Sequence, residues 1–413
     1  MYQNATLLAL FLLIYSAIAG RVERSWISGP IVFTGVGLLL GPVGLNILHL
    51  NVTAEGLRVL AELTLAMVLF TDAANADLGT VRYHVNLPGR LLLVGLPMTI
   101  ALGYLLAALM FPWLSVLEMA LLAAILAPTD AALGKPVMTN REVPAPIREA
   151  LNLESGLNDG LCVPVVVILL GLAVGSQLEG GSTMHMARVV TEEIGIGLVV
   201  GLTLTGGAAL MLRLTGKHGW TSPNWQEVPV VALAAACFAA AQALGGSGFI
   251  ACFVGGLMLN KLRESVEDKS VEDKLMEGAE SIGETLALLT WVVFGAAVIT
   301  RMIDLFTWSA LLYAVLSLTV IRMVPVYLCL TGTGMSMAEK LFVGWFGPRG
   351  LASIVFAIIV FDAQLSGNDT VMAVIALTVL LSVVAHGVTA NFLLKTMRFG
   401  DPAPARPRAA RGS

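Results

Sequence analysis

Apolar runs of roughly 17 to 25 residues follow one another along almost the whole chain, parted by short polar or basic stretches, and runs of that length suit helices that cross a bilayer. They fall near 4–20, 27–45, 57–71, 90–111, 115–134, 147–172, 189–213, 228–244, 247–261, 282–303, 308–331, 339–361 and 370–397. The pattern predicts an all-α polytopic membrane protein with thirteen transmembrane helices. The first run lacks a basic start and further spans follow at once, so it is expected to stay as a helix and not to be cleaved as a leader.

Two of these runs are interrupted. The fifth carries Pro128-Thr129-Asp130 and the twelfth carries Phe346-Gly347-Pro348-Arg349-Gly350. Proline removes a backbone donor and glycine lets the chain unwind, which frees carbonyls and leaves half-helix dipoles to be compensated. Pro and Gly are common in membrane helices, so either break alone would be unremarkable. An odd span count with breaks in runs 5 and 12 instead suggests an inverted repeat, spans 1–6 against 8–13 with span 7 as connector, and matched breaks of this kind point to a midplane binding site. Asp130 suits the positive ends of the broken helices and Arg349 the negative ends.

Composition agrees with the class. Hydrophobic residues make up 57% of the 413 and charged residues 13%, and the mean hydropathy is +0.85. A net charge of −4 without a concentrated block gives no reason to expect a nucleic-acid partner. Cys162, Cys237, Cys252 and Cys329 stand singly in apolar runs and read as small core residues, with no metal-ligand spacing. Lys and Arg concentrate on one side. With the N-terminus outside, the inward loops and tail hold Arg82, Lys135, Arg141, Lys261, Lys340 and Arg408 among many others, against Arg58, Arg188 and Arg301 outside. The bias predicts a plasma-membrane protein with a cytoplasmic C-terminus.

Ionisable residues at membrane depth are rare and usually mark an ion path. Glu154 and Asp159 lie in the sixth span, in Leu153-Glu154-Ser155-Gly156-Leu157-Asn158-Asp159. Ser155 and Asp159 stack one turn apart on one helix face, and Glu154 and Asn158 on the next. The first face, with the unwound backbone at Thr129 and Asp130, offers hard oxygen ligands for a small alkali cation. Glu154 needs a cation of its own, and Arg322, in Ile321-Arg322-Met323-Val324-Pro325, is the leading partner. Asp159 is then the titratable charge left over, and partial desolvation lets proton and cation compete for it.

In that order Thr129-Asp130, Glu154-Ser155, Asn158-Asp159, Arg322 and Gly347-Pro348-Arg349-Gly350 make a chain that resembles the sodium/proton exchanger superfamily, in particular its cation:proton antiporter-1 branch with the prokaryotic NhaP-type antiporters. The resemblance extends from Gly29-Pro30 and Gly41-Pro42 through Gly246-Ser247-Gly248-Phe249-Ile250-Ala251 to His386-Gly387. It implies a homodimer with dimerisation helices in 1–89 and 226–305, core helices in 90–175 and 306–398, a linker helix in 176–225, a short cytoplasmic tail at 399–413 and elevator-type alternating access. It also implies that Asp159 carries Na+ or H+, that Thr129, Ser155 and Asp130 belong to the ion site, that Asp130 and Arg349 compensate the crossed half-helices, that Glu154 pairs with Arg322 and that Asn158 steadies the site. Electrogenic relatives have two adjacent aspartates where this chain has Asn158 before Asp159, so an electroneutral exchange of one cation for one proton is expected. The expected substrates are Na+ and also Li+, with K+ as the alternative; no enzyme activity and no cofactor are expected.

Other residues are read more plainly. Asp72 is displaced by one position from a carboxylate that reaches the site in some relatives and is read as an interfacial loop acid. Glu62 and Glu118 are read as helix-end or water-facing acids, and His386 as a packing or hydrogen-bonding residue. The tandem repeat Ser265–Lys269 and Ser270–Lys274 reads as a solvated helix, and the Pro-rich tail as disordered without a large regulatory domain. An aspartyl protease using Asp130 and Asp159, an organic-solute symporter and a channel are the competing classes. The sequence lacks the Tyr-Asp and Gly-x-Gly-Asp pairing of such proteases and has no evident anion clamp beyond Arg349.

Overall fold

The computed structural model describes residues 2–22, 27–50, 55–76, 87–176, 183–220, 222, 225, 228–263 and 269–396. All regular structure among them is helical. In chain order the helices are α1 (Tyr2–Val22), α2 (Gly29–Leu40), α3 (Glu55–Asn75), α4 (Pro88–Met110), α5 (Val116–Ile125), α6 (Ala131–Met138), α7 (Ala145–Ser176) and α8 (Thr183–Lys217). Then come α9 (Val228–Ala243), α10 (Gly248–Arg263), α11 (Lys269–Val293), α12 (Trp308–Leu318), α13 (Val320–Cys329), α14 (Met337–Trp345), α15 (Leu351–Asp362) and α16 (Asn368–Thr396). Seven of the described helices are long and apolar enough, by length and composition, to cross a membrane.

Local sequence accounts for most boundaries. Pro88 opens α4, where a missing N–H costs nothing. Ser115 with Glu118 and Ser336 with Glu339 form reciprocal capping boxes at the starts of α5 and α14. Gly41-Pro42 stops α2, which therefore ends earlier than its apolar run. The eleventh run, expected to be one span, is two helices parted at Thr319, whose hydroxyl donates back to the Val315 carbonyl at 2.7 Å. Back-bonding of this kind bends helices. Helix α11 begins well before its apolar run and passes through a π-turn at Phe294–Ile299.

The helices pack in two groups. One joins α2, α3, α8, α9, α10 and α11; the other joins α4 to α7 with α12 to α16. Small residues set the closest approaches in the first group: a Cβ on Gly37 would stand 2.3 Å from the Val292 carbonyl oxygen, and one on Gly295 2.3 Å from that of Thr34. Helices α3, α7 and α15 meet where the groups adjoin. All four cysteines are free and buried. The first copy of the tandem repeat, up to Asp268, and the tail at 399–413 lie outside the described residues.

Candidate functional site

The interruptions between α5 and α6 and between α14 and α15 cross each other. The Asp130 N–H donates to the Pro348 carbonyl at 2.8 Å, joining one unwound segment to the other. Each oxygen of Asp130 then serves a helix N-terminus. Oδ1 accepts from Leu133 N in α6 at 2.9 Å, and Oδ2 accepts from Leu351 N at the start of α15 at 2.8 Å. One carboxylate so satisfies orphan donors of two helices and faces the positive end of both dipoles. The approach needs Gly350, because a Cβ there would lie 2.1 Å from Asp130 Oδ2. Arg349 does the converse: its Nη1 donates to the carbonyls of Ala127 (2.6 Å) and Pro128 (3.0 Å), just past the C-terminal end of α5. Asp130 and Arg349 are both buried.

Helix α7 lies against the first break. Ser155 Oγ donates to the Thr129 carbonyl at 2.8 Å, and Asn158 Nδ2 donates to the Thr129 hydroxyl at 2.7 Å. Thr129 is therefore held at its backbone and at its side chain by two residues of one helix. Asp159 is buried, and its Oδ1 has no hydrogen-bond partner among the described residues; the same is true of Asn158 Oδ1. Asp130, Asp72 and Arg349 all lie within electrostatic range of Asp159. A buried carboxylate oxygen left without a donor is costly unless a proton or a cation is supplied to it.

Glu154 and Arg322 form a two-pronged ion pair. Nη1 and Nη2 donate to Oε1 and Oε2 at 2.5 and 2.8 Å, and each side chain is at most 2% exposed. The pair stands behind the second break, since a Cβ on Gly347 would lie 2.3 Å from Arg322 Nε. Glu154 is thus engaged with arginine, while Asp159, one turn from Ser155, keeps an open oxygen.

Several residues sit differently from their sequence reading. Asp72 is not in a loop: it belongs to the last turn of α3, half-buried, where a Cβ on Gly156 would stand 3.7 Å from its own Cβ. The helix extends past the apolar run that marked the predicted span, and this brings a third carboxylate to the site helix. Glu62 is buried and accepts from Arg58 Nε at 2.7 Å, while Arg58 Nη1 also meets Asp362 at the end of α15. Arg58 and Glu62 border a cavity of about 450 Å³ between α3, α7, α8, α10 and α15, lined further by Glu193, Ser247, Phe249 and Phe356. Glu118 stands at a helix end as read, capping the start of α5, but is buried: it also accepts from Gly367 N (2.5 Å) and Ser366 Oγ (3.1 Å), which ties α5 to the turn before α16. His386 keeps its reading: it is buried on α16 with a partner at each ring nitrogen. Ser382, which accepts from the Arg349 backbone N–H at 2.7 Å, was not singled out by any sequence pattern. Its one available signal is the four-residue spacing from His386 within the apolar middle of the helix.

The chain is similar to known proteins. The family model described as "Sodium/hydrogen exchanger, transmembrane" covers residues 7–396. The chain belongs to that family. Among relatives of this exchanger-family chain, the K(+)/H(+) antiporter NhaP2 of Shewanella sp. (strain ANA-3) is 24% identical over 370 residues, 87% of this chain and 61% of the relative. The K(+)/H(+) antiporter NhaP of Alkalimonas amylolytica is 24% identical over 413 residues, covering 98% of this chain and 69% of that protein. The chain spans about three fifths of the length of the Shewanella relatives. The sodium proton antiporter MjNhaP1 of Methanocaldococcus jannaschii, at pH 8, superposes with a TM-score of 0.72 at 21% identity over 94% of this chain and 99% of that one. The exchanger-family chain thus shares the MjNhaP1 fold and is a multi-pass membrane protein.

Proposed function

We propose that this chain is a secondary antiporter that exchanges a monovalent cation for H+. The observation that carries the reading is the buried, unpartnered Oδ1 of Asp159 beside the doubly held Thr129. Asp159 takes either the cation or the proton. The cation's further ligands are the Thr129 carbonyl or hydroxyl and Ser155 Oγ, each of which keeps a lone pair after its hydrogen bond. Asp130 acts by charge and by capping, because both of its oxygens already accept backbone donors. The same engagement argues against a protease dyad, in which two aspartates would share one proton.

Exchange is one cation for one proton, since Glu154 is neutralised by Arg322 and Asn158 is uncharged, leaving Asp159 as the group that alternates. The group of helices holding α7 and both breaks is the core that moves; the group around α3, α10 and α11 is the dimerisation part of a homodimer, with the N-terminus outside and the C-terminus in the cytoplasm. Na+ is the proposed cation, in keeping with the small set of hard oxygen ligands. K+ is the second reading, supported by the K(+)/H(+) names of the Shewanella and Alkalimonas relatives.

Proteoliposome exchange with Na+, Li+ and K+ in turn, with the membrane voltage clamped at zero or left free, tests the proposal. Exchange that ignores voltage is expected, and Asp159→Ala should abolish it while the protein still reaches the membrane. Full exchange in that variant would end the carrier assignment, and voltage-driven exchange would end the one-for-one balance.

A further inference from the structure

The second break carries an unusual substitution of one hydrogen bond by several. In an uninterrupted helix the Arg349 N–H would donate to the Trp345 carbonyl, four residues earlier. Here α14 ends at Trp345, and these two groups are joined instead through side chains of α16. Arg349 N–H donates to Ser382 Oγ at 2.7 Å, Ser382 Oγ lies 3.2 Å from His386 Nδ1, and His386 Nε2 lies 2.8 Å from the Trp345 carbonyl oxygen. Each ring nitrogen faces a carbonyl, which only accepts; assigning the hydrogen of a neutral ring to Nε2, at the shorter of the two contacts, leaves Nδ1 to accept from the Ser382 hydroxyl. Nδ1 also stands 3.0 Å from the Ser382 carbonyl, and the Trp345 carbonyl also accepts from Gly347 N at 2.8 Å. Ser382, His386 and Arg349 are at most 1% exposed, so no bulk water substitutes for the relay. The Trp345 ring lies beside the imidazole, with centroids 5.1 Å apart, and its Nε1 donates to Thr389 Oγ1 on the same face of α16 at 3.0 Å.

We propose that Ser382 and His386 are positioning residues that hold the second break open by replacing its missing helical hydrogen bond, and that they thereby set the ion site. The inference rests on the antiport reading. The path runs from Arg349 to the Ala127 and Pro128 carbonyls, and from the Pro348 carbonyl to Asp130 N, so both ends of the first break are anchored on the segment that the relay holds. Thr129 sits between those anchors. A loosened second break moves Thr129 relative to Asp159 and weakens the cation complex before it impairs the moving step.

Three variants, Ser382→Ala, His386→Leu and His386→Gln, test this in proteoliposomes with whichever of Na+ and K+ the wild type exchanges, alongside amide hydrogen exchange over residues 345–351. Loss of one neutral buried hydrogen bond corresponds to about a fivefold change, so Ser382→Ala and His386→Leu should raise the apparent KM for the cation about fivefold or more, with a smaller change in maximal rate. His386→Gln, which keeps a donor and an acceptor, should stay within about twofold of wild type. Amides at 346–350 should exchange faster in Ser382→Ala. An unchanged KM in Ser382→Ala overturns the proposal, whether or not the amides loosen. Should His386→Leu fail to reach the membrane, Ser382→Ala and His386→Gln still decide. A wild type that exchanges neither ion sinks the antiport reading, and the amide exchange then judges the relay by itself.

Discussion

The two breaks cross each other and are finished in different ways. The first, at Leu126–Asp130, is held from the α7 side by Ser155 and Asn158, which both bond Thr129. The second, at Phe346–Gly350, is held from the α16 side by Ser382 and His386, is backed by the Glu154–Arg322 pair and contributes an arginine to the first. Unwinding a buried helix leaves donors and acceptors that must be met somewhere. At the first they are met by Arg349, Ser155 and Asn158, and the unpartnered oxygen belongs to Asp159 on α7; at the second they are met by Ser382 and Asp130. In the proposed reading one break serves the cation and the other braces it, and variants on each should fail in different measurements.

The largest effect is expected behind the bracing break. Removing one member of the Glu154–Arg322 pair strands a buried charge, so Glu154→Ala or Arg322→Ala should cost about 3–5 kcal/mol, read as a marked fall in the melting temperature of the purified protein. Unchanged melting in both variants would remove the pair from the brace. Next is the contact that joins the breaks. Gly350→Ala forces a methyl onto Asp130 Oδ2 and should cost about 1–3 kcal/mol together with exchange activity. Gly207→Ala, with nothing within 4 Å of the added atom, is the control and should do neither. The smallest effect is expected at the binding break. Thr129→Val loses the Asn158 hydrogen bond and one oxygen, so cation affinity should fall about fivefold with little change in melting. Measuring Na+ and K+ side by side sharpens the contrast: Thr129→Val should alter their ratio, whereas changes in the brace should weaken both together.

Much of this architecture could be read from local signals. Hydrophobic length reports a spanning helix whatever its neighbours, so the apolar runs fall on described helices, and the Pro-Thr-Asp and Gly-Pro-Arg-Gly stretches fall on the unwound segments. The Glu154–Arg322 contact could also be anticipated, because a buried carboxylate needs a cation and few were available at that depth. Helix ends were less legible. Asp72 was lost to a loop because hydropathy stops at Thr71 while the helix continues to Asn75, and Thr319 gave no warning of its break because a single threonine is ordinary in a membrane helix. Glu62 and Glu118 read as helix-end or water-facing acids in sequence; Glu62 is instead buried against Arg58 one turn earlier, and Glu118 does cap the start of α5 but is also tied to Gly367 on a distant segment, which the sequence does not show.

Residue order by itself determined that this chain is helical, that it crosses the bilayer repeatedly and that it is interrupted at its Pro- and Gly-bearing stretches, since those properties follow from transfer of side chains into lipid and from the backbone chemistry of Pro and Gly. The tertiary structure decided which interruption meets which. Asp130 lies far along the chain from Leu351, as Arg349 does from Ala127 and Ser382 from Arg349. Their pairing depends on how the helices cross, because a hydrogen bond is satisfied by distance and direction and carries no trace in the spacing of the residues that make it.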